Sequence, residues 1–305
     1  MGTKTIEAKG VNWHHVSGVA EKDLKALQEK FKFHHLDYED IRNESPISKM
    51  DAYKHYIFFL FHVPSVHETS GNIYGEPVYV FLSTEDLVTV TYKPFQELDA
   101  YFERMSQNAK FRSVVLGKGT SFAMYRIISH LFHGSLHIIG KLTQEVNRLE
   151  ESIEHNHDKR LTVDLGHARR NVLFLRHLVD PQRSMLLSLR HTTRSFIPED
   201  ILVYFDDLHD ILDTIWLSTD NLKLLIDGLF DVNEALISHK TNQIITILTF
   251  LSAALMVPTL IAGFYGMNAS WLPFVESPKV ITLLYVLGML GMVFVLMGIV
   301  RRKRL

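Results

Sequence analysis

Apolar residues are unevenly distributed along the chain. Near the N-terminus they come in short β-branched and aromatic runs, from Ser121 onward they recur at steps of three and four, and near the C-terminus they merge into two uncharged stretches. Tyr56 to Val63 predicts a strand ending at Pro64; Pro77 to Leu82 and Leu87 to Tyr92 predict two more, separated by the polar turn Ser83-Thr84-Glu85-Asp86. Ala20 to Phe31 predicts an amphipathic helix, Leu36 to Arg42 a short acidic one, and Pro94 opens a helix through Met105. Residues 1–120 are thus expected to form a mixed α/β domain.

From 121 to 195 the pattern predicts a helical hairpin. Its first helix runs from Phe122 to Glu154, and the polar stretch His155-Asn156-His157-Asp158 breaks it. The second runs from Val163 to Arg190, with Pro181 expected to kink or interrupt it. Pro198 suits a helix N-terminus. Beyond it there is no proline until Pro258 and a single glycine, Gly228, so one helix is expected from Glu199 into the first uncharged stretch. Such a helix of ~65 residues would be ~100 Å long and needs partners along its length. Residues 196–243 therefore read as a stalk within a bundle.

The uncharged stretches are 244–264 and 280–300. About 20 helical residues cross a hydrocarbon core of ~30 Å, so both are expected to be transmembrane helices. Arg301-Arg302-Lys303-Arg304 follows the second and His239-Lys240 precedes the first, while the loop 265–279 carries only Glu276 and Lys279. Basic flanks stay on the cytosolic side. A multi-pass protein of the cell (inner) membrane follows, with both termini cytosolic, the short loop outside with Trp271 at the interface, and 301–305 as a basic cytosolic tail.

Composition narrows the function classes. The chain has 305 residues, a net charge of -2 and no cysteine, which excludes disulfides, thiolate catalysis and cysteine-type zinc sites. Nothing suggests the basic face that a nucleic-acid partner requires. The N-terminal segment from Met1 to Ile6 lacks the apolar core of a signal peptide. Leu116-Gly117-Lys118-Gly119-Thr120 lacks the first glycine and the Ser/Thr of a phosphate loop, so no ATP use is expected. No catalytic triad or metalloprotease motif is present, and an enzyme is not expected. His130, His133 and His137 share a helical face and read as a metal site or as packing; His14-His15 and His34-His35 read as structural.

One face of the long helix carries Asp206, Asp210, Asp213, Leu217, Asp220, Leu224, Asp227, Asp231 and Glu234, and continues through Asn242, Ile245, Leu248, Ser252, Met256 and Thr259 to Gly263. That order suits a cation path. Carboxylates concentrate cations at the inner mouth, amide and hydroxyl oxygens take over hydrogen bonds from a hydrated ion, and rings of Leu248 and Met256 close the path by dewetting. Two helices per chain cannot enclose a pore, so copies must assemble around an axis.

At Tyr265-Gly266-Met267-Asn268 the chain resembles the CorA magnesium transporter family, whose mark is Gly-Met-Asn after the first of two C-terminal spans. Asn242 to Asn268, Trp13-His14-His15-Val16, Leu36-Asp37-Tyr38-Glu39-Asp40-Ile41 and the strand ending at Val63-Pro64 are similar to the family as well. The resemblance implies a homopentameric funnel, with the first span lining the pore and the second packed outside. It implies a selectivity filter of Gly266, Met267 and Asn268, where an Asn ring selects the hydrated ion because Mg²⁺ sheds water reluctantly. It matches Asp231, Asn242, Leu248, Met256 and Thr259 to pore-facing positions, and Asp207 or Asp206 to a regulatory magnesium site between subunits, its partner near Glu85 or Asp86. Many members carry Glu at the second and sixth positions past the Asn; here Ser270 and Phe274 stand there, and Glu276 is displaced.

The function expected is divalent-cation influx, Mg²⁺ first and Co²⁺ or Ni²⁺ as further candidates, gated by metal bound between subunits. Two alternatives stay open: a proton-linked Zn²⁺ transporter of the same superfamily, and a non-conducting membrane-anchored metal sensor.

Overall fold

Apolar runs with strand propensity are stable only where both faces are covered, and the N-terminal sheet of the computed structural model meets that demand with helices. The structure describes residues 3–155, 159–189, 192, 196–267 and 277–302. Strands β1 (Lys4–Ala8), β2 (Val11–Val16), β3 (Lys49–Ala52), β4 (Tyr56–Val66), β5 (Ile73–Ser83) and β6 (Asp86–Thr91) form one sheet in the order β1-β2-β6-β5-β4-β3. Only the β2–β6 pair is parallel. On one face Phe58, Tyr79 and Phe81 pack with Leu24, Leu27, Tyr38 and Ile41, which belong to helices α1 (Glu21–Lys30) and α2 (His35–Arg42). On the other, Phe61 meets Phe132 edge-on. That residue lies in α5 (Thr120–His155), which follows α3 (Gln96–Gln107) and α4 (Ala109–Leu116).

The sheet corrects the strand expected to stop at Pro64. β4 continues to Val66, with Pro64 opposite Gly75 of β5. Proline lacks a donor and is tolerated at an edge, and β3 covers β4 only from Ile57 to Leu60. β1, β2, β3 and α4 have weaker sequence signals than β4, β5 and β6. The β1–β2 hairpin turns at Lys9-Gly10, both with positive φ (49° and 80°), the backbone of a type I′ turn with Lys where Asn is the stronger cue.

Beyond β3, α6 (Lys159–Leu189) completes the hydrogen bonding of β4. The His62 N–H donates to Gln182 Oε1 (3.2 Å), and Gln182 Nε2 donates to the His62 carbonyl (3.0 Å). Three turns earlier, Asn171 Oδ1 accepts from the Ile73 N–H (3.1 Å) and its Nδ2 donates to the Gly71 carbonyl (3.1 Å). Pro181 does not end α6, correcting the expected interruption. The amide beside it docks on the sheet, and this tertiary contact holds the turn that lost a helical hydrogen bond.

The remaining helices are α7 (Glu199–Tyr265) and α8 (Pro278–Arg302). The chain divides into a unit spanning Met1–Phe230 and another spanning Asp231–Leu305. Among the described residues α7 alone meets the length and composition of a membrane span, and only 6% of its apolar window is buried within the chain. A soluble core helix would be covered; this one is bare.

His14 and His15 of β2 are structural, as expected. His14 Nε2 lies 3.0 Å from Asp86 Oδ1; His15 lies 2.9 Å from Thr89 Oγ1 and 2.8 Å from Asp99 Oδ1. Burial lowers both imidazoles below 6.5, against the raising effect of the carboxylates. The folded state therefore binds fewer protons than the unfolded state, and stability present above pH 6.5 is lost as pH falls toward the folded-state pKa. Tm should fall from pH 7 to pH 5.5 (on the order of one His protonation), with a shallower slope in His15→Gln. Parallel slopes would show that His15 does not carry this linkage.

Candidate functional site

The stalk part of α7 lies antiparallel to α6, and charged pairs join them at matched intervals. Arg169 Nη2 lies 3.0 Å from Asp227 Oδ1, Arg176 Nη1 2.5 Å from Asp220 Oδ1, and Arg183 Nε 2.5 Å from Asp213 Oδ1. Both series repeat every seven residues, about two helical turns, so the rungs stack down one seam. Trp216 sits between two of them, with the Arg176 and Arg183 guanidiniums 4.9 and 4.5 Å from its ring centroid. Lys223 adds a fourth cation, 3.0 Å from Asp227.

This ladder corrects the reading of the acidic stripe as one continuous cation-attracting surface. Asp213, Asp220 and Asp227 are each neutralised by an arginine of α6. The face left exposed carries Val203, Asp207, Asp210, Leu217, Leu224 and Asp231. The sequence alone did not reveal this, because the arginines lie 30 to 58 residues upstream in a helix read only for its length.

The second unit has a corresponding division. A Cβ on Gly288 of α8 would lie 3.5 Å from both Val257 and Ile261 of α7. Among the less exposed positions of α7 here are Ala253, Ala254, Val257, Pro258 and Ile261, with Pro258 buried. Leu248, Ser252, Met256, Thr259 and Gly263 project from the opposite side, by helical periodicity, and Leu248 and Met256 are 55% and 70% exposed. Ser252, Met256, Thr259, Gly263 and Met267 line one open groove of about 590 Å³. Of the expected pore-facing residues, Leu248, Ser252, Met256 and Thr259 thus share the face that α8 leaves uncovered.

Thr259 Oγ1 donates to the Leu255 carbonyl at 2.7 Å. Its lone pairs are left to accept, which is the polarity that the water shell of a cation demands. At the end of α7 the Gly266 N–H donates to the Ala262 carbonyl (2.8 Å), and a Cβ on Gly266 would come within 2.9 Å of that oxygen. Glycine is therefore a steric requirement of this turn. Asn268, the expected selectivity residue, lies outside the described residues, as do the loop residues 269–276.

Residues 8–303 match the family described as CorA-like Mg2+ transporter protein. The chain belongs to that family. It is 26% identical over 262 residues to the cobalt/magnesium transport protein CorA of Thermotoga maritima, covering 86% of this chain and 74% of that protein. It superposes on the complete CorA magnesium transporter of Methanocaldococcus jannaschii with TM-score 0.81 at 19% identity, covering 95% and 91% of the two chains. The cytoplasmic domain of ZntB from Vibrio parahaemolyticus shares the fold more distantly, with TM-score 0.57 at 10% identity over 76% of this chain and 90% of that one.

Within this CorA-like chain, Asp207 is exposed on α7 and its Oδ2 accepts a hydrogen bond from the Tyr125 hydroxyl of α5 at 2.8 Å. Asp206 is partly buried, while Asp231 and Asn242 are exposed. Of the two expected sensor partners, Asp86 is engaged by His14 and by Asn12 Nδ2 (3.2 Å), whereas Glu85 is exposed. His130 stacks on Tyr101 at 4.5 Å and His133 donates from Nδ1 to the Ser129 carbonyl at 2.7 Å, so the three histidines of α5 do not form a metal set. Among the described residues Asp37, Asp40 and Asp51 alone bring three ligand atoms together. Lys49 Nζ already lies there, 2.6 Å from Asp40 and 2.9 Å from Asp51.

A double-mutant cycle on Arg176 and Asp220, read by denaturant unfolding of the full chain, should give a coupling of about 0.5–1 kcal/mol. Zero coupling would return Asp220 to the candidate ion path.

Proposed function

We propose that this CorA-like chain is one subunit of a homopentameric membrane channel for divalent cations, with Mg²⁺ the main cargo and Co²⁺ also carried. The observation that supports it best is the uncovered face of α7: Leu248, Ser252, Met256, Thr259 and Gly263 lie opposite the face that α8 covers. A bare face with acceptor oxygens in an apolar span is well suited to packing against copies of itself. Five such helices give a water-filled path in which Leu248 and Met256 form the constriction. Both α7 and α8 cross the cell (inner) membrane, and both termini lie in the cytosol.

In this reading Gly266, Met267 and Asn268 form the outer filter. Hydrated Mg²⁺ enters it intact, because its inner water shell leaves slowly, and side-chain carbonyls replace outer-shell hydrogen bonds. Asn242 and Asp231 receive the ion at the cytosolic end. Asp207 is the regulatory ligand, with Asp206 beside it and Glu85 of a neighbouring copy opposite. Two carboxylates facing each other across an interface repel until a cation sits between them, so internal Mg²⁺ holds the assembly closed. Breaking the Tyr125–Asp207 hydrogen bond accompanies that capture.

Liposomes containing the purified protein should take up Mg²⁺ whether or not a pH gradient is imposed. Asn268→Ala should lower selectivity for Mg²⁺ by about tenfold, on the order of 1.4 kcal/mol. Zn²⁺ uptake that rises with a proton gradient would support the transporter alternative instead, and absence of flux from an assembled oligomer the sensor alternative. A monomer in mild detergent would overturn the pore.

Asp207→Ala should relieve inhibition by internal Mg²⁺, raising flux several-fold at millimolar internal Mg²⁺, roughly 1–3 kcal/mol of coupling. Equal inhibition in the variant would remove Asp207 from the sensor.

A further inference from the structure

A second feature of the N-terminal unit is unconnected with the spans and the stalk carboxylates. A cavity of about 610 Å³ opens between the end of β4, the start of β5, the segment leading into α3 and the middle of α5. Glu76 of β5 lines it. This side chain is only 8% exposed, and it has no hydrogen-bond or ion-pair partner among the described residues. Burial raises its carboxyl above the usual range, with Lys93 acting in the opposite direction. Such a place favours a carboxyl that is protonated or a cation that shares the cavity with it.

The wall supplies more of the same chemistry. Glu97 stands at the mouth, exposed, and a Cβ on Gly134 would lie 3.3 Å from its Oε2. A glycine inside a helix costs about 1 kcal/mol relative to alanine, and here it leaves room for a carboxylate against the helix surface. Glu68, His67, His137 and Lys141 complete the charged and imidazole lining, and the Tyr74 phenol adds a neutral hydroxyl. Three carboxylates therefore face one lysine and two imidazoles.

The spacing restricts the ligand. No three ligand atoms here are close enough to bind one bare ion, since that arrangement occurs only at Asp37, Asp40 and Asp51 among the described residues. A cation that retains its water is larger: six waters at about 30 Å³ each occupy ~180 Å³, which the cavity holds. We infer that this cavity binds a hydrated divalent cation through water-mediated hydrogen bonds, with Glu76 at its floor and Glu97 at its rim. Such a site is distinct from the transport path and independent of the function proposed above.

The test uses the full-length protein in detergent with Mn²⁺ as the probe, counting bound ions by electron paramagnetic resonance. Glu76→Gln should bind one Mn²⁺ per chain fewer than the unsubstituted protein. Glu97→Gln, at an exposed position that leaves the fold intact, should weaken the same ion by about tenfold. Hexaamminecobalt(III), which cannot exchange its ligands, should displace that ion. An unchanged count in Glu76→Gln, unchanged affinity in Glu97→Gln, or an ion that hexaamminecobalt(III) cannot displace would each overturn the inference.

Discussion

The antiparallel seam between α6 and α7 is the constraint on which the rest of the stalk depends. A helix of 67 residues has no intrinsic register against a neighbour, since apolar ridges fit at more than one offset. Three arginines and three aspartates repeating every seven residues in opposite directions remove that freedom, because slipping by one turn breaks all three pairs at once. Their side chains are between 23% and 48% exposed, so each pair stabilises only modestly. Their main effect is to specify alignment. With α6 fixed to the sheet through Asn171 and Gln182, the ladder ties the stalk as far as Phe230 to the α/β domain.

In the membrane unit, packing rather than charge sets orientation. Gly288 lets α8 approach Val257 and Ile261 closely, and a small residue at a crossing point is how apolar helices associate in lipid. One side of α7 is thereby committed, and the side with hydroxyl and thioether groups is left for other contacts. Pro258 falls on the committed side, where α8 shields the turn that lost its hydrogen bond.

The long-period features were legible in the sequence. The run without proline from Glu199 predicted α7, uncharged stretches marked the apolar helices, and Gly-Met-Asn pointed to the family. The uncovered face of α7 was legible as well, since helical periodicity alone puts Leu248, Ser252, Met256 and Thr259 on one side. What stayed hidden depends on partners distant in sequence. Asp213, Asp220 and Asp227 looked like free carboxylates until Arg183, Arg176 and Arg169 were found opposite them. Pro64 looked like a terminator and Pro181 like a kink or a break, because local rules do not record that a sheet edge or a docked amide tolerates proline. Asn171 and Gln182 gave no signal, since a polar residue in a helix ordinarily faces water.

Gln182 has a consequence beyond holding α6. An uncovered strand offers a row of free peptide groups, and these recruit strands from other molecules. At His62 the carboxamide of Gln182 supplies a donor and an acceptor together, as a neighbouring strand would, and so occupies a slot where a foreign strand would pair. The edge of the sheet is thereby closed to one route of fibre growth by a single side chain of a helix rather than by another strand.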